Sequence, residues 1–246
     1  MPAAFIVLVV IAGILGLLTG TFLNVVAHRA RAGISLPSSI VVGVTGVAFA
    51  AITWVGLENP AVLGVSTPTD RPTSAAGYVA LALVIVAFLY FAAISIVLSL
   101  IDIDTHRLPN RIVLPSHLVA GILFTIAAGL LGDWASLLRA AIGMAALAAF
   151  YFLLRLARPG GMGGGDVKLA GVIGIHLGWI GWGALAVGAF AAFLYGGVFG
   201  IALLLLRRAG RKSAIPFGPW MLLGAWTGVF AGEAVGHWYV SLFVGV

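Results

Sequence analysis

The sequence predicts an all-α, polytopic integral membrane protein of about eight transmembrane helices, with both termini extracytoplasmic. Of its 246 residues 62% are hydrophobic and only 8% charged, too few to keep the surface of a soluble globule wet. Apolar runs of spanning length, about 17 to 25 residues each, recur along the whole chain. All of the 13 Lys and Arg residues except Arg71 and Arg139 fall in alternate connections, and such clusters mark the cytoplasmic side.

The first apolar run, residues 3–27, is not followed by a small-residue cleavage site and a polar region, so it reads as a retained helix. Arg29 and Arg31 follow it, and residues 38–57 lead back outward. Residues 58–77 are rich in Pro, Ser and Thr without periodicity and predict a flexible outer connection. The third helix, 77–101, runs into Asp102, with Arg107 and Arg111 beyond it and Pro109 ending any helix there. Residues 112–131 and 134–154 supply the fourth and fifth, followed by Arg155, Arg158 and Lys168. The stretch 167–206 is too long for one span. It breaks near Gly178, Gly181 and Gly183 into a short sixth and a full seventh helix, with Arg207, Arg208, Arg211 and Lys212 behind them. The eighth helix starts near Pro216, and residues 238–246 form a short apolar tail. With no internal repeat or soluble segment, residues 1–246 form one membrane-embedded domain. Gly224, Gly228 and Gly232, and the pairs Gly16/Gly20 and Gly196/Gly200, have the spacing of close helix packing.

Composition also removes chemistries. Without cysteine there is no disulfide, no thiolate metal site and no cysteine nucleophile. The net charge of +6 is explained by topology, since the basic residues lie in short clusters between spans and not along a nucleic-acid face. Neither H-E-x-x-H nor G-x-S-x-G occurs, and the five histidines show no metal-ligand spacing. Of the seven acids, Glu58, Asp70, Asp133 and Glu233 lie in or near outer connections, where a solvated face explains them. Asp102, Asp104 and Asp166 remain, and acids at the edge of the hydrocarbon are functional candidates by default.

Two carboxylates within hydrogen-bond reach do not both ionise. The shared proton lets one activate water while the other protonates a carbonyl or leaving group, which is aspartic peptide hydrolysis. Asp166 stands in GMGGGDVKL, residues 161–169, and the triplet Gly163, Gly164, Gly165 permits positive φ and the close approach of a substrate strand. Two other classes use the same acids: a carrier binding a proton or cation near broken helices, and a noncatalytic assembly subunit.

Four segments taken together are more specific. They are GTFLNVVAHR at 20–29, DIDTHRLPN at 102–110, GGGDVKL at 163–169 and IPFGP at 215–219. In this order they resemble the prepilin peptidases of the GxGD aspartic protease class, found in type IV pilus and type II secretion systems. The resemblance implies a membrane endopeptidase that removes a short basic leader from prepilins or pseudopilins, substrates with an apolar N-terminal helix, at the cytoplasmic face of the bacterial inner membrane. It implies no nucleic acid partner.

It also implies that Asp102 and Asp166 are catalytic. The family aspartate lies seven positions before the proline, which selects Asp102, and Asp104, about 200° away on a helix, is then a solvated neighbour. Asn24, Arg29, Pro109, Asn110, Gly163, Gly165, Lys168, Pro216, Phe217, Gly218 and Pro219 fall on the motifs and are expected to shape the site. The chain departs from the common pattern between helices one and two. RARAGISLP stands where many members carry a large loop with two Cys-x-x-Cys zinc pairs, associated with N-methylation from S-adenosylmethionine. Cleavage without cofactor, little methyl transfer and no zinc are therefore expected. Helix ends suggest that Asp166, at a helix start, holds the charge and Asp102, at a helix end, the proton.

Overall fold

The computed structural model describes residues 3–30, 38–65, 72–158, 162–206 and 216–244. These form eight α-helices: α1 (Ala3–Ala30), α2 (Ser38–Glu58), α3 (Ala75–Thr105), α4 (Asn110–Leu131), α5 (Trp134–Ala157), α6 (Gly164–Ile180), α7 (Trp182–Leu205) and α8 (Gly218–Val244). No strand occurs among the described residues, so the all-α, membrane-embedded reading holds. The first five helices and α7 are long and apolar enough to cross a membrane. The 17 residues of α6 are too few to qualify. α8 has 27 residues, but glycines, tryptophans and Glu233 dilute its apolar character. Arg31, Asp70, Arg71, Arg207, Arg208, Arg211 and Lys212 lie outside the described residues, as do the side chains of Asn24 and Arg29.

The fold is three helix hairpins packed around α3 and α4. α1 packs on α2, α5 on α6, and α7 on α8, while α3, more than half buried, touches α1, α2, α4 and α8, and α4 also packs on α6. Water exclusion does not drive helices together inside lipid, so close packing of small residues must do it. In the α5–α6 hairpin a Cβ on Gly143 would stand 2.7 Å from the Gly174 carbonyl oxygen, and one on Gly178 would stand 2.7 Å from that of Arg139. In the α7–α8 hairpin Gly224, Gly228 and Gly232 lie against Ala192, Gly188 and Ala184. Gly16 and Gly20 likewise meet the backbone of α2, as their spacing predicts. Gly196 differs, because its small volume admits the ring of Phe217 and not a helix backbone.

Four expectations need correction. The connection at 58–77 is not flexible where it is described. Pro60–Leu63 is a 3-10 helix closed by Gly64 at φ 77°, and Leu63 and Val65 are buried in the core, because this segment must cover the ends of α2 and α3. The break between α6 and α7 falls at Gly181 alone, while Gly178 and Gly183 remain helical and serve packing. Residues 238–244 are no separate tail but the continuation of α8.

The fourth correction concerns charges expected on a solvated outer face, which bind helix ends. Arg139 donates to the carbonyl oxygens of Gly178, Trp179 and Ile180 at 2.8, 2.7 and 3.1 Å, satisfying the last turn of α6. Glu233 accepts the Ala184 N–H at 3.0 Å, which serves the first turn of α7. Asp133 caps α5 through the N–H and hydroxyl of Ser136.

The α5–α6 contact yields a stability prediction. Gly174→Leu forces a side chain into the backbone of Gly143 and should destabilise the fold by about 1–3 kcal/mol. Gly121→Ala, where a Cβ meets open space, should leave the thermal midpoint of the detergent-solubilised protein unchanged or raised. Thermal unfolding of both variants measures the difference.

Candidate active site

One end of the bundle gathers the end of α3 and the starts of α4, α6 and α8. Asp102 lies in the last turn of α3 and is 4% exposed. The helix stops after Thr105 because His106 adopts the left-handed conformation, φ 52°, and returns its N–H to the Asp102 carbonyl. Such a φ is uncommon outside glycine and turns the chain sharply. Pro109 then caps α4, and Asn110 begins it.

The Asp102 carboxylate faces another helix start. Its Oδ2 accepts the N–H of Gly218, the first residue of α8, at 2.9 Å. That N–H is one of the donors a helix cannot satisfy internally. A Cβ at Gly218 would stand 2.7 Å from the same oxygen, so glycine is needed for the approach. Phe217, just before it, is held by the rings of Tyr151 and Phe193 at centroid distances of 6.2 and 5.4 Å.

Asp166 occupies the first turn of α6 and is half-buried. Its Oδ2 accepts the N–H of Gly163 at 3.0 Å, closing the helix start. Lys168 Nζ donates to Asn110 Oδ1 at 2.8 Å, which ties this turn to the start of α4. Asp166 lies close enough to Asp102 for the charge of one to act on the other. Asp104, expected to be solvated, is half-buried in the same turn as Asp102.

The expectation for the glycine triplet is corrected. Gly163 has φ −73°, and among the described glycines only Gly64 and Gly132 have positive φ. Gly164 and Gly165 are helical and are small for another reason. A Cβ on Gly164 would strike the Arg155 guanidinium at 2.6 Å, and one on Gly165 would meet Leu108 Cβ at 2.8 Å. The groups that approach them closely are the protein's own, a side chain of α5 at Gly164 and the turn between α3 and α4 at Gly165, and the second contact sets the start of α6 against the turn that follows Asp102.

The assignment of charge to Asp166 and proton to Asp102 from helix ends is also incomplete. Asp102 ends α3 but bonds to the start of α8, so both carboxylates accept an N–H from a helix start and the simple asymmetry is lost.

Of the expected site residues, the structure brings together Asp102, Asp166, Pro109, Asn110, Gly163, Gly165, Lys168, Pro216, Phe217, Gly218 and Pro219 at this end of the bundle. Leu108, Arg155 and Tyr151 are additions that sequence reasoning missed. Tyr151 is buried on α5, within reach of the charge of Asp166. Its sequence context, an aromatic in an apolar run, carried no signal. Among the described residues no three His, Asp or Glu side chains converge on a metal-sized site.

Comparison with known proteins agrees with the geometry. The type IV leader peptidase family matches residues 89–203, which contain both aspartates. A protein of Aeromonas salmonicida named prepilin leader peptidase/N-methyltransferase is 35% identical over 158 residues, 63% of this chain and 52% of its own length. Proteins of the same name from Pseudomonas aeruginosa and Bacillus subtilis are 33% identical over 149 residues and 30% over 155. These cover 58% and 63% of this chain, and 49% and 59% of the relatives. The chain thus spans about half the length of the curated relatives it matches. No solved structure matches it.

Gly218→Ala tests the geometry directly. The added methyl displaces either the carboxylate or the start of α8, and misplacement by about 1 Å costs a reaction up to roughly a hundredfold in rate. Turnover at this site should fall at least about tenfold while the helical circular dichroism spectrum is retained.

Proposed function

From the premise that residues 89–203 match the type IV leader peptidase family, we propose that this protein is an aspartic endopeptidase that removes the leader from prepilin-like substrates at a membrane surface. The observation that supports this most is the convergence of Asp102 and Asp166 at one end of the bundle, near enough for the charge of one to act on the other. Two carboxylates in proximity share one proton. The ionised one takes a proton from water as the water oxygen attacks the scissile carbonyl carbon, and the other gives its proton to the carbonyl oxygen. Collapse of the tetrahedral intermediate breaks the C–N bond, a proton passes to the leaving amine, and the acid pair again holds a single proton.

The protein's part is to hold these groups. The Gly218 N–H fixes the Asp102 carboxylate, the Gly163 N–H fixes that of Asp166, and the Lys168–Asn110 bond holds the α6 start against α4. A proton or cation carrier has less support. Such sites lie near the midplane between broken helices, whereas these acids sit at helix ends and the matching family is a peptidase family.

The clusters of Lys and Arg in alternate connections support placing the acid pair at the cytoplasmic face of the bacterial inner membrane, with both termini outside. The substrate is then a prepilin or pseudopilin with a basic leader and an apolar helix. The relatives named for both activities are about twice as long as the region they share with this chain. Here only residues 31–37 separate α1 from α2, and the chain has no cysteine for a thiolate zinc site. Cleavage without cofactor, with little methylation by S-adenosylmethionine and no need for zinc, follows.

Purified protein in lipid, incubated with a prepilin and read by mass, tests both parts. Asp102→Asn and Asp166→Asn should each lower leader removal by about a thousandfold or more, while Asp104→Asn retains most of it. A fully active Asp102→Asn protein would falsify the assignment. With the methyl donor supplied, the processed substrate should appear at its unmethylated mass, and a chelator should leave the cleavage rate unchanged; a stoichiometric gain of one methyl group overturns this second part.

A further inference from the structure

Beside the turn that carries Asp102 the bundle leaves an apolar groove of about 500 Å³. It is the gap between two packed units, since α2 rests on α1 and α3 while α8 rests on α7 and α3. Its walls begin at one level, with Ile40 at the start of α2, Leu100 near the end of α3 and Pro219 at the start of α8. Along α8 it continues to Phe230, roughly 16 Å further and about three helical turns.

The groove leads to the acid pair on two walls. On α3, the lining residues Ala92, Ser95 and Ser99 are spaced three and four apart, and Asp102, three beyond Ser99, continues that stripe. On α8, Pro219 directly follows Gly218, whose N–H binds Asp102. Polar groups on the wall are turned inward. Ser95 Oγ donates to the Phe91 carbonyl at 2.7 Å and accepts the Trp226 indole N–H at 3.3 Å.

We propose that this groove seats the apolar helix that follows the scissile bond of the substrate, an inference that rests on the peptidase reading. A helix satisfies its own backbone and needs only apolar contact along its length. A cleavable bond needs an extended strand that the acid pair can reach. A substrate helix that begins at the level of Pro219 meets both conditions, because its body lies along α2, α3 and α8 while the residues before it pass the two aspartates. The length, the apolar lining and the continuity with Asp102 favour this occupant over a lipid chain, which has no reason to end at a carboxylate.

The test uses the whole protein in lipid nanodiscs and a synthetic peptide with a short lysine-rich leader followed by a spanning apolar helix. A benzophenone side chain at Leu223, which lines the groove and is 49% exposed, should cross-link to the helical part of the peptide. One at Val198, exposed on α7 away from the groove, should not. Ala51→Trp and Leu223→Trp should each raise KM by about tenfold with kcat little changed, the signature of lost uniform binding. The same variants should cleave a peptide truncated before the helix at the wild-type rate. Cross-linking at Leu223 to lipid only, or unchanged KM in both variants, overturns the groove assignment while the peptidase reading stands. Cross-linking of the Leu223 benzophenone protein to the helical part of the peptide, together with a wild-type protein that cleaves no peptide, leaves the groove standing and overturns the peptidase reading.

Discussion

The arrangement depends on two carboxylates each held by the N–H of a helix start. A helix start leaves donors that its own turns cannot satisfy, and lipid offers no water to take them. Asp102 meets that need for α8 and Asp166 meets it for its own helix, α6. Because the first bond crosses from α3 to α8, it fixes the order of the bundle at this end. α3 must finish where α6 and α8 begin, and the turn at His106 must return the chain at once to α4. The glycine contacts that bring α5 against α6 and α7 against α8 hold the helices whose starts meet Asp102 and carry Asp166.

The fold was legible because lipid imposes a simple code. Long apolar runs, basic clusters on alternate sides and Gly-xxx-Gly spacing reflect solvent and packing directly, and the eight helices appear in the expected order. Asp102, Asp104 and Asp166 stood out as well, since an aspartate at the hydrocarbon edge is rare, but the choice of Asp102 and Asp166 among them rested on the resemblance of the motifs around them. Contacts between residues distant in sequence were not legible. Nothing in GMGGGDVKL tells whether its glycines serve a substrate strand, a positive φ, or the protein's own Leu108 and Arg155. The same holds for Glu233 and Arg139, where composition records a charge near an outer connection but not the helix end it binds. The buried turn at Pro60–Leu63 was hidden by local composition, because proline and glycine mark ordered caps as often as loose loops.

Aromatic packing joins the acid end to the middle of the bundle. Phe217, whose neighbour Gly218 holds Asp102, lies in a cluster with Tyr151, Phe193 and Phe150 that draws on α5 and α7. A second cluster lies deeper. His176 is fully buried on α6 and stacks on Phe91 at 4.3 Å, with Phe88 and Phe124 edge-on to it. This cluster spans α3, α4 and α6, so the helices that carry the two aspartates share rigid contacts well below the site. Rotation of either helix about its axis would have to repack those rings.

The break at Gly181 has a consequence for how the chain spans the membrane. With 17 residues, α6 rises only about 25 Å, short of a hydrocarbon core of about 30 Å, whereas the 31 residues of α3 rise about 46 Å. One carboxylate thus rides on a helix too short for the bilayer and its neighbour on one too long. With the far end of α6 fixed by Arg139, the shortfall falls on the end that carries Asp166. No residue of α6 is exposed, so lipid does not meet the short helix and its neighbours carry the span. The step in length between α6 and the helices packed on it, α4 and α5, is then a property of the protein's interior: the first turn of α6, with Asp166, is partly accessible, while its later turns are buried.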